Sequence, residues 1–325
     1  MSDAAPSAPE PRSGAQLGQH AASSPPSLYA RITETVIAML ESGVVPWRSP
    51  ILGQNGSEYP RNLSGRRYRG VNVFLLAFAG YSAGYAAPIW LTFRQAAALG
   101  GRVRKGEKGT LVIFWKPEEV VDRGSGEVRQ RFVVRHYHVF NLEQCEEVGI
   151  AAPPPPSPPT EAQRIAAADA IVRGYRDGPG IHHGGAHAFY VPAKDEVHIP
   201  EPSRFTSPQE YYSTLFHELA HSTGHSSRLD RKLVSQQAPF GTADYGREEL
   251  VAELAAAYLC GECGIHPAVI ENQTAYIAGW LGKLRKDSRL VLDAASAAQR
   301  AADRIRGFDA ATADQSGPSD MTTPA

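Results

Sequence analysis

Apolar positions along the chain fall into two regimes, one on each side of a proline-rich spacer. Leu28, Ile32, Val36, Ile37 and Leu40 recur at helical spacing and stop at Gly43, which predicts an amphipathic first helix. Residues 110–115 and 131–140 are β-branched and aromatic runs, and Asp122-Arg-Gly-Ser-Gly126 between them suits a hairpin. The stretch Ala151-Ala-Pro-Pro-Pro-Pro-Ser-Pro-Pro-Thr160 is too stiff and too poor in donors for a helix or a central strand. Beyond it the pattern predicts a helix near Glu161 to Tyr175, strands over residues 188–191 and 196–199, and helices to about Gly307. The expected fold is α+β in two domains: a mixed domain over residues 28–149, a linker over 150–160 and a mainly helical domain over 161–308.

The ends differ from this body. Residues 1–27 and 309–325 lack hydrophobic periodicity, so neither can bury enough surface to offset its chain entropy, and both are expected to be disordered tails. A 42% hydrophobic and 21% charged composition over 325 residues is ordinary for a globular protein. The cysteines, Cys145, Cys260 and Cys263, are too few for a disulfide framework. No basic segment followed by an apolar core opens the chain, and no apolar run reaches membrane-spanning length. A cytoplasmic location without membrane contact is expected.

The segment carrying the clearest chemistry is His217-Glu-Leu-Ala-His221. Ser207-Pro-Gln-Glu210 has the form of a capping box with proline at the first helical position, so a helix should start there and run to Gly224. Tyr211, Tyr212, Leu215, Phe216, Leu219 and Ala220 form its apolar stripe, while His217 and His221, one turn apart, project together from another face. Two imidazoles so placed suit one divalent ion: zinc first, with manganese or iron also compatible. Glu218, beside the pair, is the expected general base for hydrolysis. The competing reading is a solvated polar helix face.

A catalytic site of this kind needs a third ligand. The extension to His225 is similar to the metzincin pattern, but Ser227 stands where that pattern has its last histidine, and Met1, Met39 and Met321 supply no methionine turn. Glu249 and Glu253 lie four apart on a helix expected to start near Arg247. The arrangement resembles that of glutamate-type zincins, which implies Glu249 as ligand and Glu253 orienting a ligating histidine; the reverse assignment stays open, as does a plain solvent-facing role. Cys260-Gly-Glu-Cys263 has no second pair to complete a site, and His182, His183 and His187 beside Gly184-Gly185 are expected in a mobile surface loop. His225 is either a transition-state donor or a partner of the helix end.

Charge is uneven although the formal total is −1. From Arg61 to Lys116 the chain carries Arg61, Arg66, Arg67, Arg69, Arg94, Arg102, Arg104, Lys105, Lys108 and Lys116 against one acid, Glu107. Tyr68, Phe74, Tyr81, Tyr85, Trp90, Phe93 and Trp115 are interleaved with them, and a basic groove with stacking platforms suits single-stranded nucleic acid. The expected contacts are Arg66, Arg67, Tyr68, Arg69, Trp90, Arg94, Arg104, Lys105, Lys108 and Trp115. The alternative places the aromatics in the core and the cations on a solvated surface.

Several ordered motifs match one family. Asn62-Leu-Ser-Gly-Arg-Arg-Tyr-Arg-Gly-Val-Asn72, Trp90-Leu-Thr-Phe-Arg-Gln-Ala-Ala97 and Gly101-Arg-Val-Arg-Lys-Gly-Glu-Lys-Gly109 closely resemble the N-terminal domain of ArdC-type antirestriction proteins, found also in some plasmid primases. Phe216-His-Glu-Leu-Ala-His-Ser-Thr-Gly-His-Ser-Ser-Arg-Leu-Asp230, Arg247-Glu-Glu-Leu-Val-Ala-Glu253 and Tyr276-Ile-Ala-Gly-Trp280 are similar to that family's zincin-like metallopeptidase domain. The resemblance implies a protein of plasmids or mobile elements that binds single-stranded DNA and protects incoming DNA from restriction. The substrate of the peptidase domain is not implied; a protein of a restriction system and a repressor are both compatible, as is a metal site that is purely structural.

Overall fold

The computed structural model of the chain describes residues 27–48, 59–121, 128–150, 157–235, 242–266 and 273–308. Residues 1–26 and 309–325 of the expected tails, the hairpin turn, and residues 151–156 of the linker lie outside these residues.

The first helix, α1 (Leu28–Glu41), starts where Ser27 accepts a hydrogen bond from the Ala30 amide, and it buries Ile32, Val36, Met39 and Leu40. A short strand β1 (Arg61–Asn62) precedes α2 (Val71–Ala83), which the sequence pattern did not single out because it is apolar on nearly every side. Strand β2 (Ile89–Leu91) leads into α3 (Phe93–Ala98), closed by a reciprocal cap between Thr92 and Gln95. After β3 (Arg102–Val103), strands β4 (Thr110–Val121) and β5 (Val128–Asn141) form the expected antiparallel pair, longer than the apolar runs alone, with Thr110 opposite Val139. The sheet order is β1-β2-β5-β4, and β6 (Cys145–Glu146) pairs with β3 apart from it.

Asn72 ties helix to sheet. Its side chain accepts from the Ile113 amide at 2.9 Å and donates to the Ile113 carbonyl at 2.6 Å, all within a buried environment. Asn72→Ala leaves both backbone groups unpaired away from water and should cost about 2–4 kcal/mol. Urea unfolding checks this; a loss under 1 kcal/mol would mean that the β4–β5 ladder holds without it.

After the linker, α4 (Glu161–Gly174) begins at a reciprocal cap between Thr160 and Gln163. Strands β7 (Gly180–His183), β8 (Phe189–Val191) and β9 (Glu196–Ile199) form a second sheet in the order β7-β9-β8. His182 and His183 therefore stand in a strand parallel to β9, not in a loop. The strand was illegible because Ile181 is its one apolar residue, and a single apolar position carries no alternation.

The metal-motif helix, α5 (Pro208–Ser222), follows, then α6 (Lys232–Ser235), α7 (Ala243–Cys263), α8 (Gln273–Leu284) and α9 (Leu290–Ile305). The α7 helix starts earlier than Arg247, at a Thr242 cap, and ends on Gly264 in the left-handed conformation. Around α5 and α7 lies one continuous apolar core containing Phe216, Leu219, Leu250 and Leu254. Ile32 and Val36 of α1 and Val73 and Phe74 of α2 belong to it too, and α1 packs on α8 and α9. The two halves thus share a core, and the first half borrows its buried surface from the second.

Candidate metal centre

Helix α5 is fixed at both ends. Ser207 accepts from the Glu210 amide at 3.2 Å, while the Glu210 carboxylate reaches back to the Thr206 amide at 2.8 Å, one residue earlier than the expected reciprocal partner. At the other end two arginines add to the carbonyls of the last turn: Arg228 donates to the Ser222 oxygen at 2.8 Å and Arg231 to the Ala220 oxygen at 2.9 Å. Gly224 follows the helix for a reason of space, since a Cβ there would stand 2.5 Å from a Val234 methyl carbon. Burial of Leu215, Phe216 and Leu219 leaves one face of the helix turned to α7.

On that face the Nε2 atoms of His217 and His221 are 3.1 Å apart, and the Glu249 carboxylate of α7 lies 3.6 Å from the first and 3.5 Å from the second. Ligands at about 2.0–2.1 Å in a tetrahedron stand about 3.3 Å from one another. The donor triangle therefore fits one divalent ion, and these three residues form the metal-type cluster found among the described residues. Glu218 is buried next to the pair. Burial alone would lower the His217 pKa, but the hydrogen bond to Glu249 and the charges of Glu253 and Glu218 push it up to about 9. For Glu249, burial raises the pKa and the two histidines outweigh it, holding the carboxyl at about 2. Tyr245, burdened by burial and by the same carboxylate, to which it is hydrogen-bonded, is pushed up to about 12.

The residue behind His221 is Glu248, where the sequence led to the expectation of Glu253. Glu248, next to Glu249, accepts from His221 Nδ1 at 3.4 Å and from Arg231 at 2.6 and 3.0 Å. That contact holds the His221 ring with Nε2 turned toward Glu249. Glu253 was expected at the metal or behind a ligand; the structure instead pairs it with Arg48 at 2.7 Å, one turn along α7. The turn that sends Glu248 toward α5 points Glu253 at the loop after α1. A cavity of about 260 Å³ opens between these groups, lined by Trp47, Arg48, Thr214, His217, Glu249 and Glu253. Its wall combines the first half of the chain with the metal helices.

Other candidates fall outside the centre. His225 bonds to Ser227 at 2.8 Å. Cys260 and Cys263 are buried free thiols, both pushed up to about 12, first of all by burial. His182 and His198 stack on β7 and β9, and His183 meets the Tyr211 hydroxyl at 2.9 Å.

The basic stretch divides into cations at the surface and aromatics in the core. Arg66, Arg94, Lys105 and Lys108 are exposed. Arg67 pairs with Glu262 at 2.7 Å, Arg104 with Glu107 at 2.7 Å and Arg69 with Asp303. Trp90 cannot act as a stacking platform: at 2% exposure it packs with Leu76, Val112 and Val139, because β2 is an inner strand of the sheet. Tyr68 is packed against the same cluster, and the Trp115 side chain lies outside the described residues. Among the described side chains of this stretch, Phe93, beside Arg94, and Tyr81 face solvent.

Comparison with known proteins agrees with this architecture. Residues 26–140 match the N-terminal domain of anti-restriction factor ArdC, and residues 166–297 match a zincin-like metallopeptidase family. An uncharacterized protein, y4eC of Sinorhizobium fredii, is 39% identical over 289 residues, covering 86% of this chain and 91% of that protein. DNA primase TraC of Escherichia coli is 35% identical over 306 residues, 86% of this chain but 27% of the primase. The crystal structure of the antirestriction ArdC protein from plasmid R388 superposes in its metal-free form with a TM-score of 0.69 at 33% identity, covering 87% of this chain and 99% of that one. The Mn(II)-bound form of the same protein gives the same TM-score and identity, with 86% and 97% covered. The chain belongs to the ArdC family of antirestriction proteins and carries that family's zincin-like domain.

Proposed function

We propose that this protein protects incoming plasmid DNA from restriction during conjugation, binding single-stranded DNA and hydrolysing a protein substrate at the His217–His221–Glu249 centre. The donor triangle with Glu218 buried beside it is the observation that carries the reading. A divalent ion held there supplies Lewis acidity toward a peptide carbonyl and toward water. Glu218 takes the proton of the attacking water and returns it to the leaving amine. Glu248 and Arg231 keep His221 in one orientation, and the cavity beside His217 receives the chain to be cut. Mn(II) binding by the R388 protein supports manganese alongside zinc as the ion.

Glu218→Gln tests the hydrolytic half, because it keeps shape and removes the base. Metal content, read by elemental analysis, should stay at the wild-type level, while restriction protection in a mating assay and the proteolytic products in expressing cells disappear. Full protection by the variant would assign the phenotype to DNA binding alone, with the ion serving only to join α5 and α7.

Among the described residues no helix is long and apolar enough to cross a membrane. The exposed cations on residues 61–116 support nucleic acid as the first partner. Single strands should bind more tightly than duplex, and log affinity should fall with log salt at about −0.7 per phosphate neutralised. Joint replacement of Arg94, Lys105 and Lys108 by Ala should make that slope shallower by about 2 in a filter-binding titration, equally for all sequences. An unchanged slope would remove this face from the DNA path.

A further inference from the structure

A second cavity, of about 310 Å³, lies where the turn at residues 66–69 meets the ends of α7 and α9. It is separate from the metal centre: Tyr258 and Glu262, which line it, stand about 13 to 20 Å along α7 from Glu249. Arg66, Arg67 and Arg69 enter from the first half of the chain and Arg306 from the second. Against these four guanidiniums stand two carboxylates, Glu262, shared by Arg67 at 2.7 Å and Arg306 at 3.2 Å, and Asp303, which holds Arg69. The balance favours an anion, and planar guanidiniums suit phosphate oxygens.

Two further features point to a ligand. Tyr258 is buried at 2% exposure, lines the cavity, and among the described residues its hydroxyl has no hydrogen-bond partner. A phenol so placed is costly unless something accepts its proton. At the mouth, Phe308 is 54% exposed, with the Arg306 guanidinium 4.5 Å from its ring centroid. An exposed ring beside a phosphate-binding group matches the stacking of a base next to its own phosphate. The volume suits one nucleotide unit.

We propose that this cavity is a nucleotide site built by both halves of the chain: Arg66, Arg67 and Arg306 hold the phosphate, Tyr258 donates its hydroxyl proton to a phosphate oxygen, and Phe308 stacks the base. The site rests on the nucleic-acid reading above and adds that the helical half takes part in it. The nucleotide is either free or one unit of a strand.

Calorimetric titration of the full chain with thymidine 5′-monophosphate and with a 5′-phosphorylated twelve-residue oligothymidylate separates these sources. Tyr258→Phe deletes only the unpartnered hydroxyl, so the thermal midpoint of the free chain should hold or rise while affinity for the ligand that occupies the cavity falls about tenfold. Phe308→Ala, at an exposed position, should weaken the same ligand about fivefold or more. Loss on both ligands supports a general nucleotide site, and loss on the oligonucleotide alone supports a strand subsite. If wild type and both variants bind the oligonucleotide equally, and the mononucleotide not at all or equally, the cavity assignment is overturned and DNA binding stands. If wild type binds neither ligand, both fall.

Discussion

Replacing Glu249 with Ala lowers metal affinity more than about 100-fold, beyond the range of a supporting residue, because a ligand itself is removed. An ion present at 100 times its dissociation constant stabilises the native state by about 2.7 kcal/mol, or about 4–5 °C in midpoint for a chain of this size. Manganese or zinc should therefore raise the wild-type midpoint by that amount and leave the variant where it was. The metal-free proteins differ in pH dependence as well. The His217 pKa is raised to about 9 by Glu249 and nearby carboxylates, so this interaction contributes fully below the unfolded value of about 6.5 and is lost as pH rises through 9. Wild-type apo stability should fall over that window, and the Glu249→Ala curve should be flatter. Metal retained at wild-type affinity by the variant would exclude Glu249 as a ligand.

The second large effect is expected at Glu248. With 7% of its side chain exposed, it is engaged by Arg231 and His221 at once, and Arg231 is itself 13% exposed. Glu248→Ala strands a guanidinium and frees the His221 ring. Breaking a buried pair from one side costs about 3–5 kcal/mol, and loss of the histidine's support adds about 10–100-fold in metal affinity. Glu248→Gln, which keeps an acceptor, should lose less of both. Denaturant unfolding together with metal titration checks the pair of effects; a loss below 1 kcal/mol in the alanine variant would show that Arg231 finds other partners.

Different physical signals explain which parts of the site were legible. The motif on α5 could be read because both imidazoles come from one helix, where spacing alone sets their relation. The α7 acids were found as a pair, but helical spacing cannot say which of several neighbouring carboxylates faces a partner. Glu248, Glu249 and Glu253 were separated only by the packing of α7 on α5 and by the position of Arg48. The charged stretch behaved in the opposite way: its cations are largely at the surface, yet Trp90 was misplaced because aromatics in a short inner strand look the same as aromatics on a binding face.

From the chain alone come the entry points of α1, α4 and α5, the β4–β5 hairpin, the helical metal motif and the uneven charge, all properties of residues close together in sequence. Only the tertiary structure decided that Glu249 completes the donor triangle, that Glu248 and Arg231 brace it, and that α1 and α2 share the core of the helical half. These relations join residues tens to hundreds of positions apart. They depend on which faces of separate elements meet, and that is set by burying the whole apolar surface at once, which no local pattern encodes.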